Sequence, residues 1–317
     1  MPQPYRRRPS APVCSRRVLW VYLGPLACPA VTEKLRMLTI HAHPDDEASK
    51  GAATVAKLAA EGIESTLLCC TGGEEGDILN PAMNRADVAD QLAAVRMIEL
   101  GRSTQIIGYH GVELLGYRDS GMAGTPPNDD PTCFHQASDE DAIRAVVRVI
   151  RRVRPQVVVT YGPDQKAYGH PDHLKVYEIS QPAFDKAADP DWFPEDGEPW
   201  TVSKMYYVVW YLKRMVALHE AVLERGLASP FAGEWFERRQ EFDGDDQITT
   251  FVDVEGHWEV RRAALLAHAT QVDPEEKFWF GIPEDLERSI LPVETYVLAA
   301  SRIPVETPET DLFAGLR

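Results

Sequence analysis

Basic charge is scarce in this 317-residue chain: 33 lysines and arginines stand against 49 aspartates and glutamates, a formal net charge of −16. Such a surface repels phosphate backbones and anionic lipid over about a Debye length, so neither nucleic acid nor a membrane is expected as a partner. Cysteine is sparse as well. The five present (Cys14, Cys28, Cys69, Cys70, Cys133) form no CxxC pair and are odd in number, which argues against a disulfide framework and for a reducing compartment. Cys69 and Cys70 close an apolar run and read as small buried hydrophobes. No stretch approaches the ~20 apolar residues of a membrane-spanning helix, and repeats, coiled coils and low-complexity tracts are lacking. What remains is an ordinary globular chain, long enough for one large domain or two smaller ones.

The first thirty residues do not match the rest. Arg6 to Arg8 and Arg16-Arg17, the apolar run Val18 to Leu23, and Ala27-Cys28-Pro29-Ala30 imitate a signal peptide. The run is short, however, and is followed at once by Gly24 and Pro25. Residues 1–34 are therefore expected to be an extension outside the fold, which starts near Val31 to Leu35, and the protein is expected to be cytoplasmic.

From Leu35 on, strand-like and helix-like runs alternate. Leu35 to Ile40 reads as a buried strand, Ser49 to Glu61 as a helix stopped by Gly62, Ser65 to Cys70 as a second strand, Arg85 to Leu100 as a helix, and Thr104 to Tyr109 as a third strand. Ser138 to Arg154 has a capping residue and an acid three positions on. The β-branched run Gln156 to Tyr161 follows, patterned for burial on both faces. The expected architecture is an α/β, Rossmann-like, mostly parallel sheet with helices on both faces, spanning residues 35–190. Residues 191–317 are read as an appended α+β portion, with a strand at Thr201 to Tyr211, helices at Met215 to Glu224 and Trp258 to His268, an acidic turn at Asp243 to Asp246 and a strand near Ile248 to Val252.

Two acid- and histidine-rich clusters sit where strands end. His41-Ala42-His43-Pro44-Asp45-Asp46-Glu47 follows the first strand; Tyr168-Gly169-His170-Pro171-Asp172-His173 follows the run Gln156 to Tyr161. Taken singly, the first could be a turn with capping acids and the second a helix start. In an open parallel sheet, ligands collect at the carboxyl ends of the strands where chain order reverses, so the two clusters can meet. Together they offer His43, Asp46 and His173 as three metal ligands, the number a catalytic zinc site keeps. That leaves Asp45, His170 and Asp172 for acid–base work. Strand alternation gives His41 a supporting place.

These residues carry a resemblance. His43-Pro44-Asp45-Asp46-Glu47 paired with His170-Pro171-Asp172-His173 resembles the zinc-dependent deacetylases of the LmbE/PIG-L family. Several further stretches, among them Thr71 to Gly76, Gly197 to Lys204, His268-Ala269-Thr270-Gln271 and Glu309 to Gly315, resemble its amidase branch, which acts on mycothiol S-conjugates. The similarity runs from about Leu38 to the carboxyl terminus. It implies Zn²⁺ held by His43, Asp46 and His173, with Asp45 as general base. It also implies that His170, oriented by Asp172, stabilises the intermediate or protonates the leaving amine, and that Tyr168 lies near the scissile carbonyl. Arg96, Asp119 and Met122 would contact the glucosaminyl-inositol part, and Asp77 stands where the family usually has Glu. Lys50 matches the amidases, the related deacetylases having a smaller polar residue there. Fe²⁺ suits the same donors. The implied activity is hydrolysis of the amide between the cysteinyl and glucosaminyl-inositol parts. The alternatives are N-acetylglucosaminyl-inositol deacetylation and, in another class, a non-catalytic sugar- or inositol-binding protein. Oligomeric state is undetermined by these features.

Overall fold

The computed structural model describes residues 34–233, 236–237, 240 and 244–317. The expected amino-terminal extension, Cys14 and Cys28, and Asp243 of the expected acidic turn lie outside the described residues.

One seven-stranded sheet runs through the described chain in the order β3-β2-β1-β4-β5-β7-β6. The strands are β1 (Arg36–His41), β2 (Glu64–Thr71), β3 (Gly111–Tyr117), β4 (Val157–Thr160), β5 (Lys204–Val209), β6 (Thr250–Asp253) and β7 (Val293–Ser301). β1 to β5 pair in parallel, and β7 is antiparallel to both β5 and β6. From β1 the chain builds outward through β2 and β3, then returns to add β4 and β5 on the other side, so chain order reverses between β1 and β4. Every residue of β4 is buried, as its β-branched run predicts for a strand covered on both faces. β5, β7 and β6 extend the same sheet, so the second half of the chain is continuous with it.

Helix Asp139–Val153 begins as its sequence predicts, with Ser138 Oγ accepting from the Asp141 N–H at 3.1 Å. The region after β2 differs from expectation. Thr104 to Tyr109 was expected as a strand, yet Leu92–Ile107 is one helix ended by Gly108 in the left-handed region, and the third strand is Gly111–Tyr117. The cause lies in the buried face of that helix, which carries Arg96, Glu99 and Ser103 beside Leu100 and Ile107. A helix that buries polar groups breaks the apolar period from which helices are read. Cys69, Cys70 and Cys133 are buried free thiols. No helix among the described residues is long and apolar enough to cross a membrane.

Candidate active site at the carboxyl ends of β1 and β4

The first cluster leaves β1 in a tight turn. His43 precedes the short helix Asp46–Ser49, and Asp45 adopts φ 114°, a region that non-glycine residues rarely enter. Two buried groups hold it there. Arg96, 2% exposed, donates to Pro44 O at 2.5 Å, to Gly73 O at 2.5 Å and to Asp45 Oδ2 at 3.0 Å. Gly73 has φ 68°, and a Cβ there would meet the Arg96 guanidinium, so only glycine lets its carbonyl approach. Glu47, fully buried, accepts from the Asp45 N–H at 2.9 Å and from Ser103 Oγ at 2.5 Å, and pairs with His268 Nε2 at 2.6 Å. Strain at functional sites persists only where the surroundings over-determine it, and these contacts do so.

The second cluster follows β4. His170 is the N-cap of helix Pro171–Lys186, its Nδ1 accepting from the Asp172 N–H at 3.2 Å. That bond leaves the neutral ring's proton on Nε2, the free edge. The Asp172 carboxylate is turned elsewhere: it accepts from Ser120 N–H at 3.0 Å and from Ser120 Oγ, and faces His43 Nε2 at 3.1 Å. Asp172 thus meets His170 through its backbone N–H and His43 through its carboxylate. His173 Nδ1 donates to Gln165 Oε1 at 2.8 Å, which leaves its Nε2 lone pair facing Asp46.

Asp46 Oδ2 lies 3.5 Å from both His43 Nδ1 and His173 Nε2. Ligands of a tetrahedral ion at about 2.1 Å stand roughly 3.4 Å apart, so the spacing fits. The other oxygen, Oδ1, accepts from Lys50 Nζ at 2.6 Å, while Oδ2 accepts from the His43 N–H at 2.9 Å and keeps a second lone pair for a cation. Burial pushes the His173 pKa down to about 4, keeping it a neutral donor. His43 is the reverse case: burial would lower it, yet hydrogen bonds with Asp119, Asp172 and Asp46 raise it well above its ordinary value. A buried imidazole ringed by three carboxylates marks a surplus of negative charge that a divalent cation would balance. The donors His43, Asp119, His170 and Asp172 form a second, overlapping group. With its carboxylate already engaged by Ser120 and His43, Asp172 suits support better than ligation.

Other expected residues surround this centre. Burial pushes the His170 pKa down to about 4, with the charge on His43 adding to the effect, so His170 is neutral near pH 7. Tyr168 is 59% exposed, its ring 6.1 Å from that of His170 and 5.1 Å from that of His173. Asp119 is buried and accepts from the Gly121 N–H at 2.9 Å, and Met122 is half exposed beside it. Asp77 is exposed in the loop after β2. Arg96, expected to reach substrate hydroxyls, hydrogen-bonds the chain itself around Asp45. His41 is buried, with Nδ1 3.3 Å from Tyr161 Oη, the supporting place that strand alternation gave it.

Comparison with known proteins decides the family. The PIG-L family model, described as GlcNAc-PI de-N-acetylase, matches residues 38–184. A mycothiol S-conjugate amidase of Streptomyces coelicolor is 41% identical over 298 residues, 90% of this chain and 99% of that one. The chain belongs to the PIG-L family. Its relatives include a 1D-myo-inositol 2-acetamido-2-deoxy-alpha-D-glucopyranoside deacetylase of Thermobispora bispora, 41% identical over 89% of this chain and 98% of that one. Among solved structures, an N,N'-diacetylchitobiose deacetylase from Pyrococcus horikoshii shares the fold, with a TM-score of 0.58, 16% identity and coverage of 84% of each chain. This PIG-L member is accordingly a hydrolase acting on amide bonds.

Some parts of the site were not singled out from the sequence. Gln165 and Ser103 carry no motif, and Ser120 stands in the stretch Arg118 to Thr125, which resembles the related deacetylases, without a role of its own. His268 stood inside a recognised stretch without a role, and its partner Glu47 lies 221 residues away. Glu99 binds the same stretch, accepting from Thr270 N–H at 2.8 Å and Thr270 Oγ at 2.7 Å. An acid buried at a helical spacing from Arg96 was the one available signal.

Proposed function

We propose that this chain is a zinc-dependent amidase that hydrolyses the amide joining the cysteinyl and glucosaminyl-inositol parts of mycothiol S-conjugates. The reaction would release an N-acetylcysteine conjugate and glucosaminyl-inositol in a cytoplasmic detoxification route. His43, Asp46 and His173 would hold the metal, which when bound supplies Lewis acidity and lowers the pKa of water. Asp45 takes the proton of the attacking water. Its pKa is raised, because burial outweighs the pull of Arg96, which brings the carboxylate nearer the range of a useful base. The proton then passes to the leaving amine. His170, neutral and protonated on Nε2, donates a hydrogen bond to the oxygen that gains charge, and the Tyr168 hydroxyl approaches the same oxygen. Arg96 and Glu47 keep Asp45 aimed, while Asp119, Met122 and Asp77 face the polyol.

The observation that carries the choice of amidase is Lys50. The resemblance implies Lys at this position in the amidases, its ammonium lies on Asp46, and its residue lines a cleft on the side away from the expected polyol contacts. The second reading, deacetylation of N-acetylglucosaminyl-inositol, is favoured by the equal identity to the Thermobispora enzyme. Measuring kcat/KM for an S-alkylated mycothiol against the N-acetyl sugar separates them: the account expects the conjugate to be preferred, and a large preference for the sugar would reverse the assignment.

A further inference from the structure

The carboxyl edge of the sheet holds a second concavity, a cleft of about 770 Å³ of non-protein space, its mouth included. It lies where β5 ends and β7 begins, with Lys50, Trp210, Trp258, Arg261, Phe278 and Trp279 among its walls. The rings form one continuous surface: Trp210 stacks with Phe278 at 5.8 Å between centroids, and Phe278 meets Trp279 edge-on at 4.8 Å.

An amide substrate has two arms, and the sheet has two sides. The scissile carbon belongs at the donor set between β1 and β4. Asp77, Asp119 and Met122, the residues read as polyol contacts, come from the loops after β2 and β3 on one side. The aromatic cleft lies on the other, beyond β4, and Lys50 joins it to the centre. An acetyl group would need no such space, whereas a cysteinyl thioether with its S-linked substituent would.

Two arginines face this cleft and differ in their bonding. Arg214 donates to Leu291 O at 2.9 Å and to Glu287 O at 2.8 Å, with its guanidinium 4.1 Å from the Trp258 ring centroid. Arg261 makes no hydrogen bond or ion pair with any described residue; its guanidinium stands 5.7 Å from the Trp258 and 5.3 Å from the Trp279 ring centroids. Glu287 and Glu294 line the same cleft, and the carboxylate of Glu294 is taken by the Thr54 N–H at 2.7 Å. Two guanidiniums face two carboxylates, and the third cation, Lys50, is paired with Asp46 at 2.6 Å, so the cleft is near neutral, which disfavours an anionic or cationic guest. Glu287 and Glu294 act on the Arg261 charge without hydrogen-bonding it, and a planar guanidinium with its face unclaimed is suited to stacking on an aryl ring.

Building on the amidase reading, we propose that this cleft is the subsite for the S-linked substituent and selects neutral aromatic thioethers over small alkyl ones, with Arg261 and Trp279 enclosing the ring.

The test uses the full-length metal-loaded enzyme with three substrates: S-benzyl mycothiol, S-methyl mycothiol and N-acetylglucosaminyl-inositol. The wild type should prefer S-benzyl over S-methyl by at least about fivefold in kcat/KM. Arg261→Lys and Trp279→Ala should each lower kcat/KM for S-benzyl by about three- to tenfold, mainly through KM. S-methyl turnover should stay within about twofold in both, which also reports that the variants fold. Equal losses on both conjugates, or no loss on either, would overturn the cleft assignment while leaving the amidase standing. A wild type that hydrolyses the N-acetyl sugar and neither conjugate would overturn the amidase reading, and the subsite with it.

Discussion

His268→Ala tests how the second half of the chain supports the catalytic turn. His268 and Glu47 are both fully buried and meet at 2.6 Å. Burial alone would lower the histidine and raise the acid; the charge each sees on the other wins, so the His268 pKa is raised above 6.5 and that of Glu47 lowered below 4.5. Removing the imidazole leaves Glu47 with only Ser103 Oγ and the Asp45 N–H, and breaking such a buried pair costs about 3–5 kcal/mol. The sign with pH follows from the shifts. A raised histidine contributes fully below about 6.5 and loses that contribution as pH rises through its folded value; the lowered acid contributes above about 4.5 and loses it as pH falls through its own. Wild-type stability should therefore decline on the alkaline side of neutrality, and His268→Ala should make that decline shallower, leaving the part that the likewise raised His43 supplies. Urea unfolding of metal-depleted protein between pH 6 and 9 reads both effects. His268→Gln, which restores a neutral donor, should recover part of the loss. A variant that loses less than about 1 kcal/mol at pH 6, or keeps the wild-type alkaline slope, would refute the buried ion pair.

Other substitutions probe separate links. Asp45→Asn should lower kcat by about 10²- to 10⁴-fold with metal content unchanged by elemental analysis, since Asp45 is not among the expected ligands. Gly73→Ala should cost more than about 1 kcal/mol through the left-handed backbone alone and should lower kcat as well, because the new Cβ displaces Arg96 from the Asp45 turn; thermal unfolding and steady-state rates report the two parts. Lys204, fully buried, donates to Glu309 at 2.5 Å, and Tyr206 Oη donates to the same carboxylate at 2.7 Å. Lys204→Met should therefore destabilise by about 3–5 kcal/mol by loosening the carboxyl-terminal segment, measured by urea unfolding.

How much of this was legible in the sequence depends on what kind of interaction was at work. β1 and β4 were readable because both are apolar runs buried on two faces, and the two clusters because each follows such a run. The rule that ligands gather where chain order reverses brought them together across more than a hundred residues. Helix Leu92–Ile107 was misjudged at its end because Arg96, Glu99 and Ser103 face inward to serve the site, which erased the periodicity, and Thr104 to Ile107 then read as β-branched. The φ of Asp45 has no local signature: it results from Arg96 and Glu47 acting on a residue that would not choose it. The division of labour at Asp172, backbone to His170 and carboxylate to His43, is likewise a matter of orientation that residue type cannot express. The aromatic cleft assembles from segments as distant as Lys50 and Trp279, and no single stretch announces it.

The central claim is that a metal-loaded centre cleaves the cysteinyl amide. Hydrolysis of S-benzyl mycothiol in ¹⁸O-labelled water, followed by mass spectrometry with and without a chelator, tests it most directly. The account predicts one ¹⁸O in the cysteine carboxylate of the released N-acetylcysteine conjugate, unlabelled glucosaminyl-inositol, and loss of both products on chelation with recovery on adding Zn²⁺. Label appearing in acetate instead, or undiminished turnover in the chelated enzyme, would contradict it.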